Sequence, residues 1–384
     1  MADQESNPFL SKWGFIALQI VIVLLAVALG AFGYRFLDQQ RGELALVRRA
    51  QKILVENTIY DVPPDQELEH GMIRGMLNTV EDPFTYFVPP AENEIQTDEL
   101  QGEFGGIGAR LERDTENRWR LYPLPDSPAA DVGLQDADIL MSVDGEPISS
   151  DTDEVTLLSL LRGPVGVRVS LTIQREDEEL TFSLRRQQID LPSVVANLLP
   201  EDERIGWVQV LRIAETTTDE IEKGILILQE QGAAALILDL RNNGGGLVDT
   251  GVDIARLFLE EGEVMRQQFR GEEVEIFEVK SSGPFIDIPL VVFINENTAS
   301  AAEIVAGALA VHQRASIIGA PSYGKNTVQY IFDLQDGSSL HVTSGRWWTP
   351  GVDFPLQPDY PLAQDAIEPT YLRQAIEVLI GKLP

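Results

Sequence analysis

The sequence predicts an α/β chain with three parts: a largely parallel sheet in the C-terminal half, a small α/β module inserted before it, and an apolar helix near the start. Three observations carry this. The segments ALILDL (235–240), PLVVFIN (289–295) and ASIIGA (315–320) are almost wholly apolar and are separated by helical patterns. Strands of that kind belong to parallel sheets covered on both faces. Residues 96–187 instead alternate polar and apolar positions between turn signals, and Trp13–Gly33 is apolar apart from Gln19.

Taken in order, Trp13–Gly33 comes first. As a helix, 21 such residues span about 31 Å, close to the roughly 30 Å hydrocarbon core of a bilayer. A signal peptide is the competing reading, but the run exceeds a usual apolar region and has no clear cleavage site. A membrane anchor is therefore expected. Lys12 before it and Arg35 and Arg41 after it leave its orientation open. Residues 36–95 read as helical, with apolar residues at three-four spacing in RGELALVRRAQKILVENTIY and LEHGMIRGMLNTV. Pro63-Pro64 separates these two helices and Asp82-Pro83 ends the second.

In residues 96–187, VDGEP (143–147) supplies an Asp-Gly hairpin turn, and VRVSLTIQREDEELTFSL (167–184) alternates on both sides of a charged turn. TDEVTLLSLLRG between them reads as a short helix. The remaining residues, 188–384, form the parallel-sheet domain, with helices at VDTGVDIARLFLEEG and SAAEIVAGALAVH. Ligands of such sheets bind beyond the carboxyl ends of the strands. Gly244–Gly246 and Ser300 both lie at such ends, so one crevice is expected to hold them.

Composition narrows the function. A formal net charge of −32 argues against nucleic acid or anionic membrane surfaces as partners. The chain has no cysteine, which removes disulfides, thiolate metal sites and cysteine nucleophiles. Hydrophobic residues make up 44% of it, enough for packed cores.

The chemistry concentrates in two stretches. A serine hydroxyl needs a base to become a nucleophile. The three histidines, His70, His312 and His341, stand in no motif, but Lys325 lies 25 residues after Ser300 and follows Tyr323-Gly324. If NTVQYIFDL is a strand, Lys325, Thr327 and Gln329 share one face, and Gln329 can hold the lysine amine. Ser300-Ala-Ala-Glu303 is equally a capping box, so the serine has a structural reading as well. Helix-start amides also favour a developing oxyanion, which makes Ala301 a natural donor. The glycine run offers a second donor, Gly245 for preference, with Gly244 and Gly246 open, unless it is only a tight turn.

DLRNNGGG (239–246), TASAAEI (298–304) and GKNTVQ (324–329), in this order, resemble the carboxy-terminal processing peptidases, or tail-specific proteases. The resemblance implies a crotonase/Clp-protease-like core over 188–384, with Ser300 as nucleophile, Lys325 as general base, Gln329 orienting it and Glu303 as the supporting acid. It also implies a PDZ domain over 96–187, in which FGGIGA (104–109) binds a peptide carboxylate through Gly106, Ile107, Gly108 and Ala109. SPAADVGL (127–134) and LLRGPVG (160–166) fit the same domain, with Arg162 a candidate link to the active site. Segment 68–90 resembles the helical stretch that precedes that domain. Gly244, Asn326 and Ala137 depart from the family pattern, which has proline at the first position and glycine at the other two, and the last forty residues follow it poorly.

The expectation is a serine endopeptidase with no metal or cofactor, residues 1–35 forming a cytoplasmic tail and anchor and the catalytic part lying outside the cytoplasm. It would act on protein C-terminal tails and is a candidate homo-oligomer. Two other classes stand beside it. One is an inactive PDZ adaptor on the same scaffold, disfavoured by the intact Ser300, Lys325 and Gln329. The other is an acyl-CoA-type enzyme on a related core, disfavoured by the PDZ-like insert and Lys325.

Overall fold

The computed structural model describes residues 44–383 together with Leu25, Val27 and Gly30, the last three helical. The predicted anchor Trp13–Gly33 otherwise lies outside the described residues. Among those described, no helix is long and apolar enough to cross a membrane. The chain divides into two units, Met1–Gly71 and Met72–Pro384. The first contains the helix Ala45–Asn57, none of whose residues is buried, and the start of the helix Asp65–Leu77. Pro63 and Pro64 separate the two helices as expected.

The second unit is built on three main sheets. The first has six strands in the order Val194–Leu199, Asp202–Val210, Ala235–Asp239, Leu290–Ile294, Ser316–Gly319, Tyr360–Pro361. Its first pair is antiparallel and the other four pairs are parallel. Ala235–Asp239 and Leu290–Ile294 are buried at every position, because apolar layers cover both faces. The layer on one face contains Ile221 and Ile225 of the helix Thr217–Glu230, Val252 and Ile254 of Val248–Arg256, and Ile304 and Val305 of Ala301–Val311. The layer on the other contains Tyr371, Leu372, Ala375 and Leu379 of the helix Glu368–Ile380.

A second sheet was not foreseen. Five antiparallel strands centre on Ser339–Trp348, which is flanked by Thr327–Asp333 on one edge and by Tyr86–Val88 and Glu263–Phe269 on the other, with Glu275–Glu278 outermost. The largely parallel class therefore holds for one sheet of the C-terminal domain and not for the other. The second sheet is half exposed and its members are far apart in sequence, so no continuous apolar run announces it. Segment 68–90, read as helical, supplies one of its strands. The helix Pro90–Gln101 follows, so the expected boundary between residues 95 and 96 falls within a helix.

The inserted module follows the predicted pattern. Strands Arg168–Arg175 and Glu178–Arg185 form the hairpin, and the helix Glu154–Leu161 is capped by Asp153, whose carboxylate accepts from Thr156 N–H at 2.9 Å. Its core is Leu121, Leu157, Leu171 and Ile173, all fully buried. Asp144 and Gly145 at the Asp-Gly turn have φ of 49° and 89°, the left-handed pair a two-residue hairpin needs. Ala137 has φ of 67°. An L-residue is strained by about 1–2 kcal/mol there, and a glycine's entropic cost is about 0.5–1 kcal/mol. Ala137→Gly should accordingly raise stability by about 0.5–1 kcal/mol in urea denaturation, and a loss of stability would show that the alanine makes contacts outweighing its backbone strain.

Candidate active site

Two adjacent parallel strands run into the site. Beyond Asp239 the chain enters the glycine loop, and beyond Ile294 it enters the segment leading to Ser300. Asn243, fully buried, joins these segments. Its Nδ2 donates to Val210 O at 2.8 Å, its Oδ1 accepts from Gly245 N–H at 2.8 Å, and its carbonyl accepts from Ala299 N–H at 2.9 Å. Gly245 (φ 99°) comes so near the serine that a Cβ on it would lie 2.8 Å from Ser300 Cβ and 2.9 Å from Ala301 N. Only glycine permits that approach.

Ser300 itself has φ 55° and ψ −122°, a strained conformation for a residue with a side chain. It sits at the sharp turn between the strand Leu290–Ile294 and the helix Ala301–Val311, an arrangement that lifts a hydroxyl clear of the backbone. The side chain faces the Glu303 amide in the manner of a capping box but makes no cap hydrogen bond. The reciprocal half is made: Ser300 N–H donates to the Glu303 carboxylate at 2.8 Å. The same carboxylate accepts from Ser322 Oγ (2.6 Å), Gly324 N–H (2.6 Å) and Lys325 N–H (2.9 Å). Glu303 is fully buried, and that burial pushes its carboxyl above the usual range against the pull of these donors.

Lys325 reaches Gln329 by a different route from the one expected. The strand begins at Thr327, and its pairing shifts register between Val328 and Gln329, so Lys325 precedes the strand and the simple alternation of faces does not apply. The predicted contact nonetheless forms, with Lys325 Nζ donating to Gln329 Oε1 at 2.8 Å. Gln329 Nε2 donates in turn to Phe84 O, and the ammonium lies 4.8 Å from the centre of the Phe84 ring. Burial lowers the Lys325 pKa below its ordinary 10.5, although Asp82 and Glu303 favour the charged form.

Ser300, Lys325, Gln329 and Gly244–Gly246 line one cavity of about 350 Å³. Among the described residues, the Ser300 hydroxyl and Lys325 Nζ are not hydrogen-bonded to each other; unliganded sites are often loose in this way. Ala301 N–H opens the helix and has no intrahelical acceptor. Gly245 N–H, the preferred glycine donor in the sequence reading, is instead engaged by Asn243. Gly106, Ile107, Gly108 and Ala109 are not part of this cavity. Ile107 is buried in the module's own core and Gly108 has φ of 68°. Arg162 pairs with Asp98 at 2.9 Å and its guanidinium lies 4.1 Å from the centre of the Phe104 ring. Among the described residues no cluster of His, Asp or Glu is arranged to hold a metal.

Sequence reasoning missed Phe84, Asn243 and Ser322. Asn243 lay within the DLRNNGGG run, and a buried asparagine beside glycines was the available signal. Phe84 gave none, since its role depends on a strand pairing between residues more than 240 positions apart.

Residues 204–369 match the model of peptidase family S41, and residues 121–175 match that of a PDZ domain. A probable CtpA-like serine protease of Staphylococcus aureus (strain MSSA476) is 28% identical over 362 residues, covering 91% of this chain and 72% of the relative. The corresponding protein of Staphylococcus haemolyticus is 28% identical over 349 residues, covering 88% of this chain and 69% of the relative. Among solved structures, a photosystem II D1 C-terminal processing protease aligns at a TM-score of 0.47 and 27% identity, over 86% of this chain and 90% of that one. The protein is a serine endopeptidase with a PDZ domain. Residues 204–369 form a peptidase family S41 domain, and the chain is similar over most of its length to CtpA-like serine proteases.

Glu303→Ala would strip one buried and three part-buried donors of their acceptor at once. A loss of at least about 3 kcal/mol is expected in chemical denaturation, since each orphaned donor costs about 1–3 kcal/mol. A loss below about 1 kcal/mol would mean that these donors find other partners.

Proposed function

We propose that this peptidase cleaves by a Ser-Lys mechanism, with Ser300 as nucleophile, Lys325 as general base and Gln329 positioning the lysine. The observation that carries the reading is the chain Ser300 N–H to Glu303 to Lys325 N–H, with Lys325 Nζ held on Gln329 inside the cavity that Ser300 lines. Ser300 Oγ attacks the scissile carbonyl and its proton passes to neutral Lys325, which later gives it to the leaving amine. Burial favours that neutral form. Ala301 N–H receives the developing oxyanion, and Gly245 N–H joins it by turning from Asn243 Oδ1. Water then hydrolyses the acyl-enzyme.

The PDZ domain, in this reading, captures the C-terminal tail of a protein substrate through the Gly106–Ala109 segment and delivers the chain to the crevice. Arg162, braced between Asp98 and Phe104, lies where the domain meets the helix Pro90–Gln101. Residues 1–35 supply a cytoplasmic tail and a membrane anchor that holds the catalytic part outside the cytoplasm, and the protein assembles as a homo-oligomer. The apolar run Trp13–Gly33 supports the anchor.

Cleavage of an unstructured protein with an apolar tail should occur with the wild type and vanish in Ser300→Ala and Lys325→Ala. Thermal or chemical denaturation should show Ser300→Ala within about 1 kcal/mol of wild type, because the hydroxyl makes no cap bond. Equal cleavage by all three proteins would refute the mechanism.

A further inference from the structure

The catalytic cavity contains polar atoms that the chain leaves unsatisfied. Arg212 Nε, Thr327 Oγ1 and His341 Nε2 are each buried without a hydrogen-bond partner, and all three residues line the same cavity as Ser300. Buried polar side-chain atoms are ordinarily paired, so three orphans around one cavity mark a surface completed by something polar. His341 is 6% exposed and stacks on Tyr86 with ring centres 4.7 Å apart.

Arg212 decides what that something is. Its hydrogen bonds both come from Nη2, to Leu191 O and to Pro192 O, which fixes the guanidinium at the cavity. Among the described residues it forms no ion pair, although the chain carries 61 carboxylates against 29 Lys and Arg. The next residue, Ile213, holds the glycine loop: its N–H donates to Gly245 O and its carbonyl accepts from Leu247 N–H, both at 3.0 Å. A ligand held by Arg212 is thus held close to the candidate oxyanion loop. The lining also includes one carboxylate, Glu99, but that side chain is exposed and its charge is screened by water, whereas Arg212 is half-buried. A guanidinium without a counter-ion suits a carboxylate better than any neutral acceptor.

We infer that Arg212 is a specificity residue of this active site, accepting a peptide carboxylate close to the scissile bond. The carboxylate comes either from an Asp or Glu side chain or from the substrate's own C-terminus when the cut is made near the chain end. The inference rests on the peptidase reading of Ser300.

The test uses the full chain and a peptide whose cleavage position has been mapped. A single Glu, or its isostere Gln, is placed in turn at each position from four residues before to four after the cut. A parallel set carries a free or an amidated C-terminus a few residues beyond it. The expected result is a kcat/KM preference of roughly tenfold for the carboxylate in one of the two arms, and that arm names its source. In Arg212→Gln the preference collapses towards unity, and in Arg212→Lys part of it survives. No preference in either arm, a preference unchanged in Arg212→Gln, or an equal fall for every peptide overturns the inference, the last marking Arg212 as a brace for residues 191–192. Ser300→Ala separates the two readings: cleavage that depends on Ser300 without a carboxylate preference sinks this inference alone. Absence of Ser300-dependent cleavage sinks both.

Discussion

One buried carboxylate organises the candidate active site. Glu303 has no contact with solvent, and its two oxygens bind the amides of Ser300, Gly324 and Lys325 and the hydroxyl of Ser322. The Ser300 segment and the Lys325 segment are more than twenty residues apart in sequence, and this side chain ties their backbones to a common point. Such a carboxylate is costly to bury, and four donors offset that cost. The geometry is therefore specified from within the helix Ala301–Val311. A single acid three residues after the serine both shapes the strained turn at Ser300 and seats the loop from which Lys325 extends.

The rest of the site follows from that point. Asn243 performs the equivalent task for the glycine loop, bonding to Val210, Gly245 and Ala299. Phe84 closes the far side, its carbonyl on Gln329 and its ring under the Lys325 ammonium. The result is a part-buried lysine held by a neutral amide, which lowers the cost of losing its proton. The strain at Ser300 is tolerated because the helix behind it is buried almost throughout and cannot relax.

Much of this was legible in the sequence, for identifiable reasons. Ala235–Asp239 and Leu290–Ile294 were readable because strands buried on both faces must be continuously apolar. The PDZ hairpin was readable because its faces alternate on both sides of a charged turn, and the Asp144-Gly145 pair announced a second, shorter hairpin. Ser300, Glu303, Lys325 and Gln329 stood in short local patterns. The antiparallel sheet was not legible, since Tyr86–Val88 meets Ser339–Trp348 across most of the chain and neither strand announces its partner. The bulge at Val328/Gln329 defeated the alternation argument for Lys325 while preserving the contact it predicted. The loss of Gly245 N–H to Asn243 was likewise invisible, because only the folded loop turns that side chain inward.

The central claim is the proposal that Ser300 is a nucleophile whose proton is taken by Lys325, a lysine whose pKa burial lowers. The most direct measurement is the rate at which a fluorophosphonate labels the full-length protein as pH is varied, with the adduct located by mass spectrometry. The account predicts an adduct on Ser300 alone. Its rate should rise with pH through a midpoint below 10.5, because the lowered pKa of Lys325 frees the base at lower pH than an ordinary lysine would. Labelling at another residue, or peptide turnover that persists with Ser300 unmodified, would contradict it.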